Sequence, residues 1–566
     1  MHLRGAILRC GLQLLKRRQE RRLLSLSQVV DQIVKSPLPD VRIPNVSIPE
    51  YIWEKIDLWP DKVAYECAIT GRRYRYAEAR ELCRRFAASL HRIGLQPGDC
   101  LAIIMSNNIE WPIVLFGAIE AGLVVTTINP TYTAEEMSRQ LKDSQPRFIV
   151  TVSSIHSTVQ KALDSTNKKE GPFIIIAPEI EKSHIPEHAI DLMHMLRDGI
   201  DTSHIRFNGS VEDTAILPYS SGTTGLPKGV MLHHRNVVSN VQQTHVPELA
   251  VYEMATDSYQ DVTPAVLPFF HAYALCYELM AAIFCGAKLV ILPRFEPATF
   301  LETLEKHQVT VLHSVPPMVL FLASHPNVKP KHIQNLRYIV CGAAPIGPKD
   351  IERFFKRAGP DTRLIQAYGM TETSPIITIS PKNNTNYESV GIPIPNTEVK
   401  VRDLETGKAL AAGETGEICT RGPQNMKGYF KLPEATAQMI DSEGWLHTGD
   451  VGYYDEKGYF YVVDRFKELI KVQGFQVAPA ELEEILRAHP DVQDAAVVGV
   501  PDERKGEIPK AFVVTKASNI TEESIKKFVE KKVAKYKRLE GGVEFVTSIP
   551  KTQSGKILRK VLREFK

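Results

Sequence analysis

Apolar positions along the chain fall into two patterns. From residue 70, TGRRYRYAEARELCRRFAASLHRIGLQPGD reads as strand, helix and turn, with Leu82, Phe86, Leu90 and Ile93 forming one helical stripe. CLAIIMSN is a short unbroken apolar run, as in a strand buried on both faces. WPIVLFGAIEAGLVVTTINP reads as a helix entering another strand. RFIVTV, PFIIIA, TAILPYSS, KLVILP, VTVLHSV and LRYIVCGAA are further β-rich runs, each followed by a helix-like segment. Buried strands alternating with helices predict an α/β fold with a substantially parallel sheet, and no fixed-period repeat interrupts the pattern.

The second pattern begins near residue 390. GIPIPNTEVKVRDLETGKALAAGETGEICTRGP alternates polar and apolar residues between Gly-rich turns, which predicts antiparallel strands. Another break follows at VDRFKELIKVQGFQV. Beyond it PAELEEILRAH reads as a helix, DAAVVGV and AFVVTK as strands, and EESIKKFVEKKVAKYK as a helix. About 100 residues in that arrangement suffice for a small separate domain. The predicted organisation is a leader over 1–30, a large N-terminal domain of α/β sheets plus a β-rich subdomain over 31–463, a hinge at 464–467, and a small mobile α+β domain over 468–566. Ser36 to Pro49 is Pro-rich and reads as an extended lead-in.

Composition narrows the function classes. The 566 residues are 43% hydrophobic and 24% charged, with a net charge of +3, so no global field calls for nucleic acid. None of the eight cysteines forms a C-x-x-C pair, which removes support for zinc or thioredoxin-type sites and fits a reducing compartment. No apolar run reaches the roughly 18 residues of a membrane span; peripheral membrane association and oligomeric state stay open. The first 28 residues are rich in Arg and Lys with Glu20 as their one acid, and Leu3, Ile7, Leu8, Leu12 and Leu15 share a helical face. That is the look of a mitochondrial presequence, with a frayed basic tail as the alternative. The Glu564-Phe565-Lys566 end is not the S-K-L peroxisomal address.

Five stretches carry candidate chemistry. In YSSGTTGLPKG, Gly222 begins a match to the phosphate-loop pattern, but Pro227 stands at its second glycine and Gly229 at its hydroxyl. Ser220, Ser221, Thr223 and Thr224 supply hydroxyls, Gly222, Gly225 and Gly229 free the backbone to wrap an anion, and Lys228 adds a point charge; a plain polar turn is the alternative. In QAYGMTETSP, Tyr368 offers a flat face to a base, while Thr371 and Glu372 suit Mg²⁺ with a phosphate; otherwise Thr371 and Thr373 cap a helix start. Asp450 in GWLHTGD can accept from ribose hydroxyls. Lys556 in PKTQSGKILRK can offset charge where a carboxylate meets a phosphate. His271 in LPFFHAYALCYELM is either a core residue or a pocket residue that orients a carboxylate, and HSVPPM reads as a rigid wall.

Taken in order, YSSGTTGLPKG, PFFHAYAL, VPPM, CGAAP, QAYGMTE, GWLHTGD, VDRFKELIKVQGFQV and PKTQSGKILRK resemble the acyl-adenylate-forming superfamily, in the branch of plant 4-coumarate–CoA ligases, firefly luciferase and related acyl-CoA synthetases. The resemblance runs from about residue 40 to the end. It implies an acid–CoA ligase using ATP, Mg²⁺ and coenzyme A through an acyl-AMP intermediate. By it, the loop from Ser220 to Lys228 closes over the β- and γ-phosphates, Thr371 touches the α-phosphate, and Glu372 holds Mg²⁺. Gly342, Ala343 and Ala344 flank the adenine with Tyr368, within the nucleotide-binding run Gln366, Ala367, Tyr368, Gly369 and Met370. Asp450 and Arg465 grip the ribose, and Lys556 bridges acyl carboxylate and phosphate. The small domain then turns about Asp464 to Lys467, so that the face carrying Lys471, Gly474 and Gln476 forms the CoA thiol tunnel while His271 gates the substrate pocket.

The acid pocket implied by the resemblance comprises Tyr273, Ser314, Pro316, Gly342, Tyr368, Gly369 and Met370, with Gly342 and Ala343 leaving room for a long or aromatic acid. The acid is expected to be a medium- or long-chain fatty acid or an aryl-propenoate. One departure stands out: Lys471-Val472-Gln473-Gly474 replaces K-x-K-G, putting one charged contact to CoA or nucleotide in doubt. Alternatives are oxidation of the adenylate, as in luciferases, a nucleotide-binding pseudoenzyme, and a carrier-loading module, which the absence of a carrier site after Lys566 disfavours.

Overall fold

Most of the apolar runs form two sheets whose strand ends converge on one cleft. The computed structural model of the chain describes residues 29–566 except 167–171, 180–183, 221–226, 360, 466, 473, 474, 503, 517–519, 553, 554, 565 and 566; for Phe475 and Gln476 it describes the backbone. Residues 1–28 of the leader, Ser221 to Gly225, Gln473 and Gly474 therefore lie outside the described residues.

The larger sheet has eight strands. Its parallel part runs through Thr214–Ser220, Val124–Thr127, Cys100–Ile104, Phe148–Val152, Phe173–Ala177 and Ile190–Asp191. Leu101, Ile103, Val125 and Val150 are buried because Tyr76–Arg92 and Trp111–Glu120 pack in the same core. Trp111–Glu120 is buried on every side, which is why its sequence lacks a polar face. Two antiparallel strands extend the edge beyond Thr214–Ser220: Lys228–His233 and then Gly428–Tyr429.

The second sheet pairs Val311–Ser314, Tyr338–Cys341 and Arg363–Gly369 in parallel, then adds Ile376–Ile379 and Ile392–Pro393 antiparallel. Ligands of open α/β sheets bind beyond the carboxyl ends of the parallel strands. Ser220, Gly342 and Gly369 all lie at those ends. A four-stranded sheet holds Val262–Ala265, Lys288–Ile291, Val63–Cys67 and Arg73–Arg75. The alternating stretch after residue 390 forms the antiparallel strands Glu398–Arg402, Gly416–Arg421, Leu446–Tyr454 and Phe460–Arg465.

After Arg465 the chain builds a second unit. Ile470–Val472, Gly506–Thr515 and Val492–Asp502 pair antiparallel, and Val543–Phe545 adds in parallel. Val477, Leu482, Leu486, Val497, Val513, Ile525 and Val529 give it a hydrophobic core of its own, as a domain requires. At the junction Asp464 accepts the Ala480 N–H at 3.0 Å.

Four local expectations change. The helix carrying Leu82, Phe86 and Leu90 ends at Arg92, so Ile93 is its exposed C-cap rather than part of the buried stripe. EESIKKFVEKKVAKYK is helical only over Glu522–Glu530, followed by a separate turn at Lys535–Lys537. Thr371–Thr373 is a single 3₁₀ turn after a strand, not the start of a longer helix. The VPPM wall is the first turn of a helix, Pro316–Ser324, with prolines where missing N–H groups cost nothing.

Candidate active site

Strands Thr214–Ser220 and Lys228–His233 form a hairpin with Ser220 opposite Lys228. Its two legs therefore present a hydroxyl and an ammonium on either side of the Gly-rich turn. Tyr219 fixes one leg by donating its hydroxyl to Asp143 Oδ2 at 2.5 Å. Lys228 Nζ stands 4.9 Å from the centre of the Tyr429 ring.

Glu372 sits beside the hairpin. Its Oε1 accepts from Ser220 Oγ at 2.7 Å and from the Tyr429 hydroxyl at 2.9 Å. Its main-chain oxygen accepts the Met426 N–H at 2.8 Å. The carboxylate is almost wholly buried yet lines the cleft, so two hydroxyl donors aim it there. A single oriented carboxylate beside a phosphate-holding loop is the donor set that Mg²⁺ takes when phosphate oxygens complete its shell. The preceding turn is tightly specified: a Cβ on Gly369 would lie 1.8 Å from Pro375 O, so no other residue fits. Thr373 Oγ1 ties the same turn to Pro375 O at 2.7 Å.

The small domain inserts Lys556 into this cleft. Its loop rests on the large domain where Gly555, at φ +81°, leaves a would-be Cβ 3.2 Å from Pro317. Thr552 Oγ1 accepts the Lys556 N–H at 3.1 Å. Burial, then the nearby Arg465 guanidinium, push the Lys556 ammonium down to about 8, against the opposing pull of Asp450 and Glu372. Burial and the Lys556 charge hold His271 near 4, so its imidazole is neutral, and its Nδ1 accepts the Tyr273 N–H at 3.3 Å.

The cleft encloses about 610 Å³. Ser220, His271, Tyr273, Gly342, Ala343, Ala367, Gly369, Met370, Thr371, Glu372, Arg465 and Lys556 all line it, so most of the expected site is brought together. Asp450 is nearly buried behind Arg465, its Oδ1 3.2 Å from Arg465 Nε and its Oδ2 accepting the Tyr368 hydroxyl at 2.8 Å. A ribose would compete with Tyr368 for that carboxylate rather than find it open.

Other expected residues stand outside the cleft lining. Gln366 does not line it, and its buried amide donates to Tyr387 O at 2.6 Å and Ser389 O at 3.2 Å. Ala344 lies past the strand end and does not line the cleft. Ser314 and Pro316 do not line it either, since Ser314 is buried and donates to Val340 O. Gly342 leaves little extra room, as a Cβ there would stand 3.2 Å from Ala367 O and 3.6 Å from the Tyr273 ring.

Lys471 is exposed on Ile470–Val472 and lines a separate depression with Lys467, Leu469, Gly506 and Glu507, away from the cleft. The sequence reading missed Tyr429, which follows an unremarked Gly-Tyr step, and the wall formed by Asn129, Tyr132 and Met439. No spacing links these residues to the motifs they meet.

The model of the AMP-binding enzyme family matches residues 52–430, and that of the AMP-binding enzyme C-terminal domain matches residues 481–556. Among curated relatives, 4-coumarate–CoA ligase 2 of Oryza sativa subsp. japonica is 42% identical over 543 residues, covering 94% of each chain. The 4-coumarate–CoA ligase of Pinus taeda is 40% identical over 540 residues, covering 94% of this chain and 98% of that one. Among solved structures, ATP-bound MatB from Rhodopseudomonas palustris superposes with a TM-score of 0.82 at 29% identity, covering 92% of this chain and 99% of that one. A benzoate CoA ligase from Burkholderia xenovorans LB400 gives 0.81 at 26% identity, covering 92% and 100%.

Proposed function

We propose, from the premise that this chain belongs to the AMP-binding enzyme family and is an ATP-dependent acid–CoA ligase working through an acyl-adenylate, that its acid is an aryl-propenoate. The carrying observation is Tyr273. Its hydroxyl donates to Val340 O at 3.0 Å, closing the floor of the cleft beside Gly342. Tyr277, His313 and Ser314, which lie behind it, do not line the cleft. A floor closed by Tyr273 favours a compact flat acid over a long fatty chain, which needs a channel beyond it. The plant relatives named above lend the same direction.

In this reading the Ser220–Lys228 hairpin holds the β- and γ-phosphates and Thr371 the α-phosphate. Glu372 holds Mg²⁺, which when bound offsets phosphate charge. Attack of one anion on another needs charge offset and alignment more than an acid or base. Lys228 and the Lys556 ammonium supply the offset from the protein. Neutral His271 and Tyr273 flank the acid without adding charge. Rotation of the small domain about residues 464–467 withdraws Lys556 and presents the Lys471 face to CoA, a hinge movement that gates the second half-reaction.

The basic leader directs the chain to mitochondria; a fusion of residues 1–30 to a reporter is expected to be imported, and diffuse cytosolic signal would overturn this. For the substrate, the leaderless protein is assayed with cinnamate, 4-coumarate, octanoate and palmitate for CoA-dependent AMP release. Highest kcat/KM on the aromatic acids supports the reading. Preference for octanoate or palmitate replaces it with a fatty acid.

A further inference from the structure

Among the described residues, one group of metal-type donors stands together outside the cleft: Glu417, Cys419 and His447, whose ligand atoms lie within 4.8 Å of one another. Strand pairing builds it. Glu417 and Cys419 alternate with Ile418 on Gly416–Arg421 and so share one face of the sheet. His447, on Leu446–Tyr454, is the register partner of Cys419. Its Nδ1 stands 3.4 Å from Cys419 Sγ and 2.9 Å from Glu417 Oε2. His447 belongs to the GWLHTGD stretch but does not line the cleft, so the reaction leaves it without a task.

Both the carboxylate and the imidazole are aimed from behind. Glu417 Oε1 accepts the Gly449 N–H at 3.2 Å, which leaves Oε2 to face the ring. Asp441 Oδ1 accepts the Glu443 and Trp445 N–H groups, each at 2.9 Å, and its Oδ2 lies 3.3 Å from His447 Nε2. A carboxylate on the far ring nitrogen is what fixes the tautomer of a metal-bound histidine. The near nitrogen faces incompatible partners. Arg402 Nη1, which can only donate, is 3.1 Å from Nδ1, and the Glu417 carboxylate, which can only accept, is 2.9 Å from it. One ring nitrogen satisfies one of the two. Arg402 also reaches Glu417 Oε2 at 3.5 Å, so its guanidinium competes for the spot on which the donors converge, and its side chain, 35% exposed, has a way out to solvent. The adjacent Lys400 is engaged over the Trp445 ring, 4.2 Å from its centre.

We propose that Glu417, Cys419 and His447 bind Zn²⁺, with water as the fourth ligand, at a site separate from the cation position at Glu372. A thiolate, an imidazole and one carboxylate oxygen suit tetrahedral zinc, whereas Mg²⁺ takes oxygens in an octahedron. Zinc bonds of about 2.0–2.3 Å set tetrahedral nitrogen and sulfur ligands about 3.5 Å apart, close to the 3.4 Å between His447 and Cys419. Glu417 Oε2 has to retreat by about 0.5 Å, and Arg402 has to leave. On binding, the thiol proton passes to solvent, and the imidazole stays neutral with its proton on Nε2 toward Asp441. The ion then cross-links Gly416–Arg421 to Leu446–Tyr454 just ahead of Asp450. It steadies the strand that brings this carboxylate to Arg465.

The full chain is dialysed against Zn²⁺ in excess Mg²⁺, and the retained metal is measured. A single tightly held Zn²⁺ per chain is expected. Its affinity should fall by about tenfold or more in Cys419→Ser and in His447→Gln, and should rise in Arg402→Met, which lacks the competing guanidinium. Co²⁺ in place of Zn²⁺ should give a thiolate-to-metal charge-transfer band that Cys419→Ser abolishes. Zn²⁺ should also raise the thermal midpoint of the unaltered chain and not that of Cys419→Ser. Failure to retain Zn²⁺ in excess Mg²⁺, or retention unchanged in both Cys419→Ser and His447→Gln, overturns the site. Should those variants fail to fold, the Co²⁺ spectrum of the unaltered chain and the affinity of Arg402→Met still decide. The lack of a thiolate band, or no gain on removing the guanidinium, overturns it.

Discussion

Ser220 and Glu372 meet across 152 residues of chain, Oγ donating to Oε1 at 2.7 Å. The phosphate hairpin and the carboxylate assigned to the cation are therefore one unit, and the Tyr429 hydroxyl, at 2.9 Å from the same oxygen, completes it. Tyr429→Phe removes a hydrogen bond to a charged group, worth about 1.5–3 kcal/mol. The expected outcome is a loss of roughly tenfold in kcat/KM for ATP, with more Mg²⁺ needed for half-maximal rate. Unchanged Mg²⁺ dependence in a metal titration would separate Tyr429 from the carboxylate's task.

Lys556 lies in the cleft with Thr371, Glu372 and His271. Lys556→Ala should cut acyl-AMP formation by about a hundredfold or more while sparing thioester formation from supplied acyl-AMP. Single-turnover assays of each half-reaction check this. Equal loss in both halves would remove the role assigned to it.

The same lysine sets a pH limit. Its folded value is depressed to about 8, so the ammonium is present below pH 8 and is lost as pH rises through it. The kcat/KM for ATP, which reports the free enzyme, should therefore fall on the alkaline side with a midpoint near 8. In Lys556→Arg, whose charge persists, that fall should vanish even though the absolute rate is lower. A profile flat to pH 9.5, about 1.5 units above the midpoint, would contradict the assignment.

Gly369 has no space for a side chain, since a Cβ would lie 1.8 Å from Pro375 O. Gly369→Ala must displace the turn that carries Thr371 and Glu372. A destabilisation of about 1–3 kcal/mol is expected from such overpacking, together with loss of ATP binding. Thermal unfolding with and without ATP measures both, and an unchanged midpoint with normal ATP stabilisation would refute it.

How much of this was legible in the sequence depended on whether a property is local. The buried strands from Cys100 to Cys341 announced themselves because unbroken apolar runs need cover on both faces. The hinge region at Asp464 showed as a change of pattern. Helix ends were harder: nothing in EESIKKFVEKKVAKYK reveals that its ordered helix stops at Glu530. Within the site, Lys556, Glu372 and Arg465 were legible through the ordered set of motifs rather than singly; Lys556 alone sat in a Gly-supported loop. Tyr429 did not, because its role is created by strand Gly428–Tyr429 pairing with Lys228–His233 some 200 residues earlier. Gln366 shows the converse: motif neighbours line the cleft, while its amide is bonded to Tyr387 and Ser389.

Lys556 enters the cleft while Lys471, carried by the same small domain, faces elsewhere. One rigid body cannot offer both lysines to the cleft at once. Under the proposed hinge rotation, acid, ATP and thiol are never poised together. A mixed anhydride made under one orientation must wait, shielded from water, for the other. On the proposed rotation the length of that wait is set by the joint at Asp464 rather than by the reactivity of the acid, so acids of very different chemistry should pass through on a shared timetable.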